Sequence, residues 1–225
     1  MNKLNHVAFI MDGNGRWGKK KNKGRNYGHL QGVKTVQKIV KSSLKLKIPI
    51  ITFYVFSTEN WKRPKAEINF LFKLIVSYFN KELKNVTENG IKINIIGKTN
   101  ELPLKTRNSL KKAIKITKKN RKIIVNLAIN YGSKDEITQS LKTLKKNNKK
   151  INEKNIKQNL YTKNLLDPDI LIRTGGRKRL SNFMLWQLAY AEIYFLDKLW
   201  PDFNYSDLAK ILRSYVKTKR NFGSI

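Results

Sequence analysis

Asp12 is an isolated carboxylate. The segment Asp12-Gly13-Asn14-Gly15-Arg16-Trp17-Gly18-Lys19-Lys20 follows a β-branched and aromatic run, and no further Asp or Glu occurs before Glu59. One carboxylate beside guanidinium, ammonium and backbone N–H donors suits a phosphate or diphosphate that carries a divalent cation. Two familiar phosphate motifs nearly fit and fail for chemical reasons. Gly13, Gly15 and Gly18 satisfy the Gly-x-Gly-x-x-Gly dinucleotide pattern, but the acid expected about 20 residues later for the ribose is missing. Gly13, Gly18 and Lys19 fit a P-loop until Lys20, a cation where a Ser or Thr hydroxyl should hold magnesium. What remains is a glycine turn whose N–H groups, together with Arg16, Arg25 and His29, can face a diphosphate while Asp12 holds its metal.

Six runs read as strands: His6 to Met11, Ile50 to Phe56, Ile91 to Ile96, Ile123 to Ile129, Asp169 to Arg173 and Ile193 to Leu196. Helical patterns lie at Gly28 to Lys45, Lys65 to Asn89, Leu102 to Lys118, Lys134 to Lys146, Ser181 to Ala191 and Tyr205 to Thr218. The alternation predicts an α/β fold, a single domain over residues 1–225 with a central, mostly parallel six-stranded sheet surrounded by helices. In such sheets ligands bind beyond the carboxyl ends of the strands. Polar, glycine-rich and arginine-bearing segments collect there: Asp12 to Trp17, Ser57 to Arg63, Asn130 to Gly132, and Arg173 to Gly176. Ile68, Leu71, Phe72, Ile75, Phe79 and Leu83 form one apolar helix face, which can either pack a core or line a lipid cavity. Asn147 to Asn159 reads as a solvated, poorly ordered connection.

The chain has 225 residues, of which 40% are hydrophobic, with no Cys and two His. Thiol chemistry, disulfides and cysteine-zinc sites are thereby excluded, and any metal must rest on carboxylates and substrate oxygens. No run approaches the ~18 apolar residues of a membrane span, and the amino end lacks a signal peptide's apolar region, so a cytoplasmic location is expected. Lys and Arg total 48 against 15 Asp and Glu, a net charge of +33. The abundance of Lys, Asn and Ile, and the even spread of the lysines, assign most of that excess to composition, and no specific nucleic-acid partner is expected.

Read as a whole, His6-Val7-Ala8-Phe9-Ile10-Met11-Asp12-Gly13-Asn14-Gly15-Arg16-Trp17 closely resembles the opening signature of the cis-prenyltransferases, notably the bacterial undecaprenyl diphosphate synthases. Further blocks follow in the same order: Tyr54 to Pro64 with Glu67, Ile172 to Gly176 with Arg179 to Phe183, and Leu185 to Glu192 followed by Leu199 to Phe203. The paired Asp-Asp-x-x-Asp helices of trans-prenyltransferases are missing. The resemblance implies an apolar tunnel for the growing chain, a homodimer, and magnesium-dependent condensation of isopentenyl diphosphate with an allylic diphosphate such as farnesyl diphosphate. The product it implies is a long-chain polyprenyl diphosphate, the undecaprenyl carrier of cell-wall synthesis.

The resemblance also implies roles. Asp12 is the main magnesium residue, joined by Glu192, and Asp12 and Asn60 are catalytic. Gly13, Asn14, Gly15, Arg16, Trp17, Arg25 and His29 hold the allylic diphosphate, while Arg173, Arg179 and Ser181 bind isopentenyl diphosphate. Ser57, Thr58, Glu59, Asn60, Trp61, Arg63 and Glu67 form a segment that closes over substrate. Trp17 and Trp61 can equally be packing residues, and Glu67 can pair near a helix start. A lipid product on a charged head implies transient contact with the inner face of a membrane. Arg177 and Lys178 depart from the family pattern, which often has an acid at the first of these positions, and Asn221 stands where relatives commonly carry arginine.

Overall fold

In the computed structural model, which describes residues 3–219, the chain alternates strands and helices around one sheet. The strands are β1 (His6–Ile10), β2 (Ile50–Ser57), β3 (Ile91–Ile96), β4 (Ile123–Tyr131), β5 (Ile170–Arg173) and β6 (Glu192–Phe195). Among the described residues there are seven α-helices: α1 (Asn14–Lys20), α2 (Gly24–Lys45), α3 (Lys65–Glu88), α4 (Leu104–Thr117), α5 (Ser133–Lys146), α6 (Glu153–Lys157) and α7 (Tyr205–Lys217). All strand pairs are parallel, in the order β3-β4-β2-β1-β5-β6. The chain leaves β1 on one side toward β2 and later returns to its other side as β5, so the topology reverses beside β1, where a crevice opens at the carboxyl ends of an α/β sheet.

β1 is buried on both faces, and its two-residue period divides the interior. Val7 and Phe9 point into the larger core, with Phe53, Trp200 and Phe203, whereas Ala8 and Ile10 point into a smaller one with Leu171, Phe183 and Leu188. Phe9 stacks on Phe53 at 5.1 Å between ring centroids, and Trp200 on Phe203 at 5.5 Å. A polar ladder crosses four strands: His6 Nε2 meets Thr52 Oγ1 at 2.6 Å, Asn126 donates to the same oxygen at 2.9 Å, and Asn94 donates to Asn126 at 2.9 Å.

Three expectations are corrected. Ser181 to Ala191 is not a helix: Ser181, Asn182 and Met184 have φ of 52°, 61° and 45°, a left-handed geometry that no α-helix accommodates. The apolar spacing that suggested one comes from Phe183, Met184 and Leu188, which reach the smaller core from a loop. Asn14 to Lys20, by contrast, is helical, because it packs against α2 through glycines. A methyl group at Gly18 would strike Gly24 and Gly28, and one at Gly28 would strike Asn14. The Asn147 to Asn159 connection carries the short α6, capped by Asn152 accepting from the Asn155 N–H at 2.8 Å.

Candidate active site

Asp12 follows β1 and Arg173 ends β5, so the two meet at the reversal of the sheet. Arg173 is buried and donates from Nη2 to Asp12 Oδ2 at 3.1 Å, from Nη1 to Ser181 Oγ at 2.7 Å and to the carbonyl of Arg179. Its Nε is buried without a partner. Arg16, one helical turn on, brings Nη2 to 3.3 Å from Asp12 Oδ1 and donates to the Gly175 carbonyl at 2.7 Å. Gly13 makes the turn between them at φ 112°, and a side chain there would strike Leu199.

A cleft of about 640 Å³ opens over this pair, lined by Asp12, Asn14, His29, Ser57, Glu59, Asn60, Arg63, Arg173, Arg179 and Ser181, with Asn182 on its rim. Met11, Asn14, His29, Val55 and Leu71 also line an adjoining apolar cavity of about 120 Å³ that runs between α2 and α3 past Val33, Val36, Ile75, Tyr78 and Phe79. Polar cleft and apolar cavity therefore adjoin, with these five side chains common to both walls. Asn14 sits at their junction with its Oδ1 buried and unpartnered. On the apolar face of α3, Phe72 and Phe79 are in the core, and Leu71 and Ile75 line the apolar cavity.

Glu67 gathers the basic residues behind the cleft. Arg25 donates to both its oxygens at 3.1 Å, His29 Nε2 lies 3.2 Å from Oε1, and Arg63 donates to Oε1 at 3.1 Å. Burial pushes the Glu67 carboxyl up, but Arg25, Arg63 and His29 outweigh it and hold it below its ordinary range. Burial also dominates at His29 and lowers its pKa, despite the pull of Glu67. Ser57 and Asn60 form a capping box at the start of a 3₁₀ turn (Thr58–Lys62), the Ser57 N–H donating to Asn60 Oδ1 at 3.2 Å. Asn60 thus organises the segment as well as lining the cleft.

Several expected site residues face elsewhere. Trp17 donates to Asp202 at 2.7 Å and stacks on Tyr27, and Trp61 donates to Asn130 at 2.8 Å and packs on Phe56 and Phe72. Both hold helices and turns in place. Thr58 donates to Glu59 at 3.2 Å. Gly15 has no room for a methyl group beside the Arg25 guanidinium, which makes it a packing position. Glu192 pairs with Ile170 at the start of β5, whereas Asp12 lies past the Ile10–Arg173 pair at its end. The two are roughly five residue rises of about 3.3 Å apart along the strands, so Glu192 does not join Asp12 within one chain. Arg177 and Lys178 are exposed, and Asn221 lies outside the described residues.

Among the described residues no three of His, Cys, Asp and Glu assemble as a metal site, and both Asp12 oxygens already face guanidinium groups. One carboxylate fits a cation that arrives on a diphosphate and completes its shell with phosphate oxygens and water. It does not fit a resident metal.

Comparison with known proteins agrees with this geometry. The sequence model of a family described as "Putative undecaprenyl diphosphate synthase" matches residues 10–223. Curated relatives named isoprenyl transferase include that of Halalkalibacterium halodurans, 45% identical over 98% of this chain and 89% of the relative, and that of Lactobacillus johnsonii, 44% identical over 99% and 97%. Among solved structures, a "probable undecaprenyl diphosphate synthase" from Campylobacter jejuni superposes with a TM-score of 0.85 at 38% identity, covering 100% of both chains. Lavandulyl diphosphate synthase from Lavandula x intermedia, in complex with dimethylallyl diphosphate, superposes with a TM-score of 0.93 at 32% identity, covering 98% of each.

Proposed function

The chain belongs to the undecaprenyl diphosphate synthase family of prenyltransferases, and from that premise we propose that it condenses isopentenyl diphosphate onto an allylic diphosphate, farnesyl diphosphate being the starter, to build a long-chain polyprenyl diphosphate. The observation that carries the reading is a cation-lined cleft that adjoins an apolar cavity, with Met11, Asn14, His29, Val55 and Leu71 lining both. A molecule with a diphosphate head and a hydrocarbon tail fits both at once.

In the reaction the allylic C–O bond breaks, negative charge gathers on the departing diphosphate and positive charge on the allylic carbon. Arg16 and Arg173 are placed to meet the first, and the apolar cavity keeps water from the second. Magnesium held by Asp12 would further neutralise the departing oxygens. The isopentenyl double bond then forms the new C–C bond and loses a C2 proton. The acid-base side chains of the cleft are already engaged, Asp12 by arginines, His29 by Glu67 and Glu59 by Asn182. A diphosphate oxygen is the proposed destination of the proton, with Asn14, Ser57 and Asn60 aligning the head group. Arg179 and Ser181, beside Arg173, suit the isopentenyl diphosphate, and the Glu67 cluster of Arg25, His29 and Arg63 supports the allylic one.

Undecaprenyl diphosphate, the lipid carrier of cell-wall polysaccharide, is the proposed product. A homodimer is proposed through the β6 edge, where Tyr190 and Ile193 are exposed. No helix among the described residues is long and apolar enough to cross a membrane. Contact with the inner membrane face is instead proposed through surface lysines such as Lys34, Lys38 and Lys41.

The test is incorporation of labelled isopentenyl diphosphate into farnesyl diphosphate, followed by chromatography of the dephosphorylated product. Activity should vanish with chelator and fall at least ~100-fold in Asp12→Asn. A wild-type protein that incorporates no label would sink the reading.

A further inference from the structure

The two walls of the cleft come from strands that are not neighbours. Ser57 ends β2, with Asn60 and Arg63 following it, while Arg173, Arg179 and Ser181 belong to β5 and its loop, with β1 between. A reaction between two substrates, one on each wall, needs the walls held at a fixed spacing. At the base Tyr54 of β2 donates to the Ser181 carbonyl at 3.3 Å and stacks on Phe183, and beyond it Asn182 Nδ2 donates to Glu59 Oε1 at 2.8 Å, joining the Thr58–Lys62 turn to the arginine loop.

Asn182 is itself fixed from behind. Its carbonyl accepts from the Ser133 N–H at 2.8 Å, and its side-chain Oδ1 accepts from the Lys134 N–H at 2.9 Å, both at the start of α5. With Oδ1 committed to an N–H donor, the amide can turn only Nδ2 toward Glu59. Asparagine tolerates the φ of 61° at this position. Gly132 leaves the space, since a methyl group there would lie 2.8 Å from Asn182 Nδ2 and 2.5 Å from Thr58 Oγ1. The second Glu59 oxygen accepts from Thr58 Oγ1 at 3.2 Å. Both Glu59 oxygens are thus engaged within the protein. Burial pushes its carboxyl up, but the Asn182 amide and nearby hydroxyls outweigh it and hold the group ionised.

We infer that Glu59 and Asn182 are positioning residues, a cross-cleft tether that holds the Ser57–Arg63 segment against the arginine loop, and that Glu59 is not a substrate ligand. The inference rests on the proposed prenyl transfer for its kinetic consequence, and on geometry alone for the tether.

The test exchanges donor and acceptor. Asn182→Asp keeps the acceptor for the Lys134 N–H but opposes two carboxylates, and is expected to lower kcat/KM about tenfold, chiefly through a higher KM for isopentenyl diphosphate. Glu59→Gln alone, whose amide oxygen can still accept, should cost about threefold or less. The double variant, with the hydrogen bond reversed, should return to within about twofold of wild type. Amide hydrogen exchange over residues 57–63 supplies a readout that needs no activity: at least several-fold faster in Asn182→Asp and restored in the double. Full activity of Asn182→Asp, a double no better than that single, or unchanged exchange overturns the tether. An inactive wild type with the expected exchange pattern overturns only the prenyl-transfer reading.

Discussion

At the scale of residues, the site is defined by which charges are already spent on one another. Arg173 makes three contacts through one planar fork, and a lysine, a point charge, cannot reproduce them. Arg173→Lys should therefore lower kcat/KM by about 100-fold while leaving the fold intact, as steady-state kinetics beside circular dichroism will show. Glu67 offers a test with a sign. Its carboxyl is held below the ordinary range in the folded protein, so its stabilisation is fully present above the unfolded value near ~4.3 and is lost as pH falls through the lower folded value. Glu67→Gln should melt lower than wild type at pH 7, by roughly 1–3 kcal/mol given that Arg25 is half exposed. The gap should close below about pH 4; a gap that is constant with pH would mean that packing, not charge, is lost.

At the scale of elements, all six strands were legible from β-branched and aromatic runs to within a few residues, most plainly β1 and β5, which are buried throughout and carry little else. The long helices were legible from their apolar spacing. α1 was not: its residues Gly15 and Gly18 bury backbone rather than side chains, and its lysines face water, so no period announces it. The Ser181 to Ala191 loop misled in the opposite way, its apolar residues mimicking a helix while Ser133 of α5 captured its backbone and the Lys134 N–H the Asn182 side chain. In the site, Asp12 and Arg173 could be joined by the rule that ligands bind at strand ends. The bridge to Asn182 could not, since an asparagine in a turn carries no chemical signal of its own. The same scale holds a stability prediction. His6, at the start of β1, is pushed down to about 4 by burial, against the pull of the Leu166 carbonyl, Asp169 and Asp167. The fold holds it neutral, so stability is intact above the unfolded value near ~6.5 and declines as pH falls toward about 4. The loss over that window should be roughly 3 kcal/mol. Denaturant titrations should show this decline in wild type and a flatter one in His6→Asn, which starts lower because the ladder to Thr52 is broken.

At the scale of the whole molecule, the net charge and the apolar cavity meet at one side chain. Tyr78 of α3 lines the apolar cavity and also a separate groove between α2 and α3 that is rimmed by Lys34, Lys38 and Lys41. It packs edge-on against Phe79 at 5.3 Å, and its phenol is pushed up to about 12, by burial first and by Glu82 second. The cavity on one side receives hydrocarbon under the proposed reaction, and the groove on the other leads to a basic surface, so the Tyr78 ring is the partition between them. A chain that lengthens from the cleft must stop at this ring or displace it. Tyr78→Ala removes the partition and should shift the product ladder to longer chains, while the rate of the first condensation, set in the cleft, changes by less than about twofold. Tyr78→Phe keeps the ring and should keep the wild-type ladder. The cost in stability of Tyr78→Ala, about 2–4 kcal/mol for a large-to-small change at a half-buried site, is measured separately by its melting temperature. An alanine variant that stays folded and gives the wild-type ladder would mean that the chain ends short of Tyr78, and product length would then be set nearer the cleft, by Leu71 and Ile75.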